Sequence, residues 1–396
     1  MTKNTWKKMV VAIVVHQSLP VGPSHELRDY LLKRSPKKLL FITHPLLYFK
    51  EGYRKSSGYV VFENGKKSKQ HIAAHWRLPE PLLYIKDFFY TVLWGLQMKE
   101  SIDIFFGVDP LNALAGIILK RLRKVKTVVY YNIDYTPARF KNRLLNSVYH
   151  FIDRTCCYGV DYNWVGTQRT VQARKENNVD LNKCAKTVIV PDGNHSLSVI
   201  KRDLKEIKTH TLVYLGHIDK KQGLDLVLDT LPILAEKIHD IRFIIIGKGD
   251  YADAVKEKIK KMKLNNVEYK GYIEDDREVE NILTRCGIGV APYVQDKTSF
   301  TYYSEAGKPK YYLGCGIPVI ITKVPAIAAT IHSRKAGVAI DYDKKEFIDA
   351  VLKMTKDKNM YASYKKNAIQ MGNEFDWSQI LYKASQETLT YIKNKD

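Results

Sequence analysis

Short apolar segments rich in β-branched and aromatic residues recur along the chain, each bounded by turn residues. Amphipathic, helix-like stretches separate many of them. Continuous apolar strands that alternate with helices are typical of parallel sheets covered by helices. We therefore predict an α/β chain with two Rossmann-like, doubly wound domains that face each other across a cleft. The segments are MVVAIVV, KLLFIT, IDIFFGV, TVVYYNI, YNWVGT and TVIVPDG, then HTLVYLGHI, IRFIIIGKG, VEYKGYI, IGVAPY, IPVIIT and AGVAI.

The length of the chain supports this division, because 396 residues exceed the size of one ordinary domain. The segment NHSLSVIKRDLKEIK, between the two sets, has no strong periodicity. The final segment, FDWSQILYKASQETLTYIKN, has an apolar stripe typical of a helix but follows the last predicted strand. We predict a first domain over residues 1–195, a linker over 196–209, a second domain over 210–375, and a C-terminal helix over 376–396 that packs back on the first domain.

The chain carries a formal net charge of +22, most of it in the first half. Residues 1–200 contain 31 Lys and Arg against 15 Asp and Glu, whereas residues 201–396 contain 33 against 27. Such a charge favours solubility, and it also suits phosphorylated substrates, an anionic membrane surface or nucleic acid. No RRM, KH, helix-turn-helix or zinc pattern occurs and the basic residues are dispersed, so we expect no specific nucleic-acid partner.

The cysteines and the N-terminal segment bear on the compartment. None of the five cysteines has metal-ligand spacing, so we expect free thiols in a reducing compartment and no metal site. MVVAIVV is short and rich in β-branched residues, which favours a buried strand over a signal peptide. Because no run of about 18 apolar residues occurs, we expect no membrane span and a cytoplasmic protein.

Glycines close three predicted strands of the second domain. LVYLG ends at Gly216, FIIIGKG ends with Gly247, Lys248 and Gly249, and EYKG is followed by Tyr272. The carboxyl ends of parallel strands form the sheet edge at which ligands bind. One glycine there is weak support for a site. Three within one domain, with the loop described next, predict a nucleotide-sized site.

SEAGKPK, whose last three residues begin the predicted helix KPKYYLGCG, has the features of an anion-binding loop. Gly307 lets the backbone approach a ligand closely, and Pro309 suits the first turn of a helix. A helix N-terminus offers unpaired N–H groups to a phosphate, and Lys308 and Lys310 add positive charge. The alternative interpretation is a basic helix start with solvated lysines.

GHIDKKQG, IGKG, KGYI and YYLGCGIPVI, in this order, resemble the donor domain of GT-B glycosyltransferases of the retaining family 4. VPDGNH and FDWSQIL resemble the end of that family's acceptor domain and its C-terminal helix. The resemblance implies retaining, metal-independent transfer, without a cofactor, of a sugar from a nucleotide-diphosphate donor to a hydroxyl. We expect a lipid-linked or growing cell-surface polysaccharide as acceptor. A nucleotide-sugar epimerase or a sugar-phosphate synthase on the same fold are the alternatives.

The chain departs from the family at three donor-side positions. His217, Gln222 and Tyr311 stand where the family has Arg, Lys and a ribose-binding Glu. His217 and Lys221 are our candidates for contacting the diphosphate, and Glu305 for contacting ribose or donor-sugar hydroxyls. We predict that His217, Lys221 and Glu305 are catalytic. Glu305, Lys308 and Lys310 together are expected to replace the missing ribose-binding Glu and the missing Arg and Lys. The alternative is a catalytically degenerate protein that still binds sugar nucleotides.

The loop and helix after the first strand supply candidates for the acceptor side. In VGPSHELR, Gly22 lies in a turn and Ser24 is a candidate N-cap for a helix that begins near His25. In GT-B enzymes this loop faces the cleft, so the resemblance implies that His25 and Arg28 lie at or near it. The alternative is a capped helix with a solvated face.

A second acceptor-side segment is YYNIDYTP, residues 130–137, after another predicted strand. The family has a residue here, often His, that contacts the donor sugar. In this chain Asn132 and Asp134 are the candidates, and Asp134 is suited to orient the acceptor hydroxyl or accept its proton. An Asx turn before Pro137 is the alternative.

HWRLPEPLLYIKDFFYTVLWGLQMK, residues 75–99, combines several aromatic residues with basic flanks. We favour a core helix of the first domain. The alternative is a membrane-interface helix, since anionic lipid attracts a basic surface with about 1 kcal/mol per basic residue near it. That alternative makes the protein peripheral on the inner face of the membrane.

Overall fold

The computed structural model describes residues 3–17, 21–47, 54–135, 137–140, 142–295 and 305–395. Residues 1–191 with 381–396 form one compact unit, and residues 192–380 form a second. Each unit contains a largely parallel sheet with helices between its strands, which confirms the predicted α/β class with two Rossmann-like halves. The predicted domain boundaries and the cleft stay predictions. Thr136 and Ser304, within two of the predicted site segments, lie outside the described residues.

The first unit is built on an eight-stranded sheet. Its strands are β1 (Val10–Gln17), β2 (Lys38–Pro45), β3 (Gly58–Glu63), β4 (Lys66–Ile72), β5 (Ile102–Val108), β6 (Val125–Asn132), β7 (Tyr162–Val165) and β8 (Lys186–Ile189). Their order in the sheet is β4-β3-β2-β1-β5-β6-β7-β8. The prediction that MVVAIVV forms a buried strand is confirmed by β1. The strand order reverses between β1 and β5, and ligands of such sheets bind at the carboxyl ends beside that reversal.

Helices connect these strands. They are α1 (Lys3–Trp6), α2 (Pro23–Leu32), α3 (Glu80–Gln97), α4 (Pro110–Arg121), α5 (Arg143–Gly159) and α6 (Gln168–Glu176). A Cβ atom at Gly116 would lie 2.6 Å from the Phe105 ring, so glycine there allows α4 to pack closely on β5. No helix in the described part of the chain is both long and apolar enough to cross a bilayer.

The second unit is built on a six-stranded sheet. Its strands are β9 (Lys208–Leu215), β10 (Arg242–Ile246), β11 (Val267–Gly271), β12 (Cys286–Ala291), β13 (Val319–Thr322) and β14 (Gly337–Ile340). Every pair in the order β11-β10-β9-β12-β13-β14 is parallel. The reversal lies between β9 and β12, which makes their carboxyl ends the expected ligand edge.

The helices of the second unit follow its strands. They are α7 (Leu224–Lys237), α8 (Ala252–Lys261), α9 (Asp276–Leu283), α10 (Gly307–Gly314), α11 (Ile327–Ser333), α12 (Lys344–Lys356), α13 (Lys358–Glu374) and α14 (Trp377–Lys395). The last helix, α14, begins in the second unit, and from Leu381 onward it belongs to the first. There its Tyr391 ring packs edge-on against Tyr162, with the ring centroids 4.9 Å apart.

The sequence analysis did not predict one hairpin of the first sheet. β3 and β4 pair antiparallel at the edge of the first sheet, joined by Asn64 and Gly65 with φ of 51° and 82°. Every residue of β4 is exposed, so this strand carries no apolar pattern that could reveal it. The Asn-Gly pair was the available signal, because both residues tolerate the positive φ that a tight hairpin turn requires.

Candidate functional site

The structure brings the strand-end glycines of the second unit together at one edge of the sheet. The backbone N–H of Gly216 donates to Ile246 O at 3.0 Å, and the N–H of Gly247 donates to Gly271 O at 2.7 Å. Gly216 and Gly247 have φ of 133° and 149°, and a Cβ atom at Gly247 would lie 1.9 Å from Gly216 O. A Cβ atom at Gly249 would lie 2.2 Å from Ile218 O. Only glycine fits these close backbone approaches.

Lys308, at the start of α10, reaches this glycine edge. Its Nζ donates to Gln222 Oε1 at 2.8 Å and lies 3.8 Å from the centroid of the Tyr214 ring. A Cβ atom at Gly216 would lie 3.2 Å from Lys308 Cε. Burial lowers the pKa of the Lys308 amine well below its usual value. An anion bound beside it would favour the charged form.

Tyr312 fixes α10 beside the point where the strand order reverses. Its hydroxyl accepts from the Leu215 N–H at 2.7 Å and donates to Val290 O at 3.3 Å, so it bonds to both β9 and β12. The side chain is fully buried. The N-terminus of α10 begins at Gly307, where the helix dipole and unpaired N–H groups favour an anion. Sequence reasoning treated Tyr312 only as part of a motif and missed this positioning role.

Lys310 has a different environment from Lys308. It is fully buried, its Nζ donates to Asp192 O at 2.8 Å, and it forms an ion pair with the Glu305 carboxylate. Burial lowers the pKa of Lys310, although Glu305 and Asp192 oppose that shift. Through these two contacts, Lys310 connects the loop before α10, at Glu305, to Asp192, the first residue of the second unit. A direct contact of Glu305 or Lys310 with a ligand stays a prediction.

The other predicted donor-side residues lie on the loops around this edge. Lys221 sits in a short 3-10 turn whose first residues are held by the Asp219 side chain, which accepts from the Lys221 N–H at 2.8 Å. His217 follows β9 and is exposed. The exposed Lys248 amine lies 4.1 Å from the centroid of the Tyr272 ring. Their roles as ligand contacts stay predictions.

In the first unit, Asn132 and Asp134 lie at the carboxyl end of β6, as predicted. Asn132 is buried and donates from Nδ2 to the Tyr130 hydroxyl at 3.1 Å. Burial raises the pKa of Asp134 to about 6; Arg139 opposes this shift and Asp109 adds to it. Asp109, Asp134 and Arg139 therefore form a charged group beside the ends of β5 and β6. A carboxyl group with this pKa can exchange a proton near neutral pH.

The predicted capping role of Ser24 is wrong. The N-cap of α2 is Gly22, with φ of 107°, the helix begins at Pro23, and no side chain caps it. Ser24 is instead buried in the first turn. His25 is also buried, packed edge-on against Phe41 with centroids 5.2 Å apart.

Burial and the nearby Arg28 lower the pKa of His25 to about 4, so the ring is neutral at pH 7. Arg28 pairs with Asp29 at 2.7 Å through Nε. Both side chains thus have partners within α2 and β2. Acceptor contacts by Gly22, Ser24, His25 and Arg28 stay predictions.

Sequence reasoning missed a buried polar group centred on Asp87 of α3. The Asp87 carboxylate accepts from the Ser57 hydroxyl at 2.6 Å and lies 3.3 Å from His44 Nδ1 and 3.5 Å from His16 Nε2. Burial raises the pKa of Asp87, but the nearby His16 and His44 outweigh it and hold the pKa well below its usual value. Both histidines lie near the carboxyl ends of β1 and β2, and their positions after apolar runs were the available signal.

Residues 209–357 match the family model described as glycosyl transferases group 1. The chain has the fold of GT-B glycosyltransferases, as predicted. Membership of family 4 in particular stays a prediction.

Among solved structures, the chain is similar to sucrose-phosphate synthase from Thermosynechococcus elongatus, with 13% identity, a TM-score of 0.70, and coverage of 98% of this chain and 100% of that one. It is similar to Anabaena HepE in complex with UDP, with 13% identity, a TM-score of 0.68, and coverage of 97% and 100%. It is also similar to a glycosyltransferase from Rickettsia africae, with 15% identity, a TM-score of 0.67, and coverage of 99% and 100%. These likenesses establish the fold.

Two curated relatives are named phosphatidyl-myo-inositol mannosyltransferase. The protein from Mycolicibacterium smegmatis is 22% identical over 172 residues, which is 43% of this chain and 42% of the relative. The protein from Mycobacterium leprae is 21% identical over 174 residues, which is 43% of this chain and 44% of the relative. The chain thus spans less than half the length of the curated relatives it matches.

Proposed function

We propose that this protein is a glycosyltransferase that moves a sugar from a nucleotide-diphosphate sugar to a hydroxyl acceptor. The observation that carries the proposal is the position of Lys308, beside Gly216 and at the N-terminus of α10, where the strand order reverses. The match of residues 209–357 to glycosyl transferases group 1 covers this site and supports the proposal. Anabaena HepE, a protein of similar fold, has structures in complex with UDP and with UDP-glucose.

The chemistry follows from the charges at this edge. Negative charge builds on the leaving diphosphate during sugar transfer, and fixed positive groups aimed at it lower the barrier. Lys308 and the first N–H groups of α10 supply that charge in our proposal, and the exposed amines of Lys221 and Lys248 add to it. Because burial disfavours the charged amine of Lys308, binding of the diphosphate is coupled to its protonation.

Several finer features belong to the same proposal. The reaction retains the anomeric configuration and needs neither a metal ion nor a cofactor. The acceptor is lipid-linked or a growing cell-surface polysaccharide, and its hydroxyl is oriented by Asp134. The relatives named phosphatidyl-myo-inositol mannosyltransferase support a lipid-linked acceptor. The protein is cytoplasmic in this proposal and works on the inner face of the membrane.

An exposed apolar surface on two helices of the first unit supports the membrane location. We name its two parts the α3 stripe, Leu82, Ile85, Phe89, Leu93 and Leu96, and the α5 stripe, Leu144, Val148 and Phe151. The residues recur every three or four positions, so each stripe lies along one side of its helix. The opposite side of α3 is buried at Leu83, Asp87, Thr91 and Trp94, which fits the favoured core helix and leaves the α3 stripe for a surface. An anionic bilayer is the partner that the basic first half of the chain favours.

The test is a calorimetric titration of the full chain with UDP-, GDP-, ADP- and dTDP-sugars. We expect one class to bind, and Lys308→Met to weaken it about tenfold or more, because a hydrogen bond to a charged group is lost. Lys237→Met, an exposed lysine at the end of α7, is the matched control and should bind as wild type does. If none of the nucleotide sugars binds, the assignment of the donor site is wrong.

A turnover assay with the bound nucleotide sugar separates the enzyme classes. Transfer predicts a glycoside product only when an acceptor alcohol is added. An epimerised nucleotide sugar formed without any acceptor would instead establish an epimerase, and a phosphorylated product formed only with a sugar phosphate would establish a synthase. Binding without turnover across lipid-linked and polysaccharide acceptors would favour the degenerate protein.

A further inference from the structure

A pocket of about 350 Å³ opens in the first unit, between the first half of α3 and α5. The start of α4 and the segment around residue 140 complete it. Its wall is mainly apolar, and its volume falls within the range of about 300–1,000 Å³ typical of ligand pockets. The apolar side chains that matter here are Tyr84, Ile85, Leu111, Phe140, Val148 and Ile152.

The polar residues of this pocket lie close to one another. His16, Asp109 and Arg139 line it together with the apolar wall. His16 Nδ1 lies 4.0 Å from Asp109 Oδ2, and Arg139 interacts electrostatically with Asp109 and Asp134. His16 is near the end of β1 and Asp109 directly follows β5, the two strands between which the order reverses. The polar part of the pocket therefore lies at the expected ligand edge of this sheet.

The apolar part of the pocket reaches the protein surface. Ile85 and Val148 line the pocket, are half exposed, and belong to the α3 stripe and the α5 stripe. The pocket thus continues into the apolar surface that we assign to the membrane. A free sugar would leave the apolar wall uncovered, and a hydrocarbon alone would make no polar contact with His16, Asp109 or Arg139. The lining therefore fits a molecule that has both a polar, sugar-like group and an apolar chain.

We propose that this pocket binds the apolar chain of an amphiphilic acceptor, whose hydroxylated headgroup lies at His16, Asp109 and Arg139. The inference rests on the proposed function, because it assigns a binding site to the acceptor of that reaction. The hydroxyls can donate to the Asp109 carboxylate, and Arg139 can donate to headgroup oxygens. The chain buries apolar surface against α3 and α5. An alkyl chain and an isoprenoid chain share this chemistry.

The experiment titrates the full-length protein with alkyl β-D-glucopyranosides from methyl to nonyl, each below its micelle concentration. We expect the affinity to rise about fourfold per methylene group that enters the pocket and then to level off. A parallel titration uses geranyl glucoside. If it binds more tightly than the linear glucoside of similar chain length, the natural ligand is isoprenoid; if it binds more weakly, the ligand carries an acyl or alkyl chain. Equal affinity for methyl and nonyl glucoside overturns the proposal.

Two exposed positions of α5 give matched variants. Val148→Asp places a charge in the pocket and should reduce the affinity for nonyl glucoside to that for methyl glucoside. Leu144→Asp places the same charge on the same helix outside the pocket, and should bind nonyl glucoside as wild type does. Circular dichroism checks that both variants fold. Equal losses in the two variants would show adsorption to the surface stripes and overturn the pocket assignment.

A nucleotide-sugar titration of the same samples separates this inference from the proposed function. Val148→Asp should bind the nucleotide sugar as wild type does, because the donor site lies in the second unit. Chain-length dependence without nucleotide-sugar binding would remove the proposed function and leave an amphiphile-binding pocket. Nucleotide-sugar binding without chain-length dependence would remove only the pocket inference.

Discussion

Lys308 and Lys310 show how two equivalent residues in a sequence acquire different roles. Both are basic and both lie in the first turn of α10, so the sequence predicts a phosphate contact for each. Residues two apart on a helix point about 200° away from each other. Only one of them can therefore face the Gly216 turn, and it is Lys308. Lys310 points into the unit, where its amine forms an ion pair with Glu305 and donates a hydrogen bond to Asp192 O.

Asp134 gives a prediction about stability and pH. Its pKa of about 6 lies above the value of about 3.9 for an unfolded chain, so between these values the folded state holds more protons. The free energy of unfolding therefore falls as the pH rises through this window. Asp134→Asn should remove that fall and be more stable than wild type at pH 7, by on the order of 2–3 kcal/mol.

Urea unfolding at pH 4, 5, 6 and 7 measures this difference. Glu176→Gln, an exposed carboxylate on α6, is the control and should follow the wild-type curve. If wild type and Asp134→Asn show the same pH dependence, burial does not hold the Asp134 carboxyl protonated. The assignment of proton exchange to this residue would then fail as well.

Two turn glycines near the glycine–lysine edge show how the same backbone conformation can meet different surroundings. Gly223 precedes α7 with φ of 74°, and a Cβ atom there would lie 1.7 Å from Pro292 O. Gly271 ends β11 with φ of 73°, but its Cβ atom would meet nothing closer than the Tyr269 ring at 3.9 Å. The two glycines share a backbone conformation and differ in their surroundings.

Alanine substitutions at these two glycines separate the cost of the left-handed backbone conformation from the cost of a steric clash. Gly271→Ala should cost about 1–2 kcal/mol of unfolding free energy, the cost of a left-handed conformation for alanine. Gly223→Ala should cost at least about 2 kcal/mol more, because the backbone of the loop before residue 295 must also move. Urea denaturation of the full chain measures both. Equal losses of unfolding free energy in the two variants would mean that the Pro292 carbonyl moves away from the new Cβ atom at little energetic cost.

The strand predictions worked where burial leaves an apolar pattern, and they missed the edge hairpin where it does not. β1, β5 and β12 are nearly continuous apolar runs, as strands covered on both faces require. β4 reads KKSKQHI and is exposed throughout. Its pairing with β3 depends on the turn between them and on the free edge of the sheet, which apolar periodicity does not report.

The basic first half of the chain and the two exposed stripes together predict binding to anionic bilayers. We expect co-sedimentation with vesicles of phosphatidylcholine and phosphatidylglycerol, and weaker binding to phosphatidylcholine alone. Added salt should weaken the binding to anionic vesicles, since the screening length falls to about 10 Å at 0.1 M salt. The apolar contribution should persist at high salt.

Phe89→Asp, in the α3 stripe, should reduce the fraction of protein bound at both low and high salt. Ile200→Asp, an exposed apolar residue of the second unit, is the matched control and should bind as wild type does. Equal binding to the two vesicle types would contradict the electrostatic part of this prediction. An unchanged Phe89→Asp would show that the α3 stripe does not contact the bilayer.

The sequence alone reveals the α/β class, the two sets of strands, the glycines at the strand ends and the helix that starts within SEAGKPK. These features depend on local periodicity and on turn residues, which a single chain segment reveals. The folded structure adds that Lys308 rather than Lys310 reaches Gly216, that His25 is buried against Phe41, and that α3, α4 and α5 enclose a pocket. Those outcomes depend on which distant segments become neighbours and how much water their packing excludes, and no local pattern encodes either.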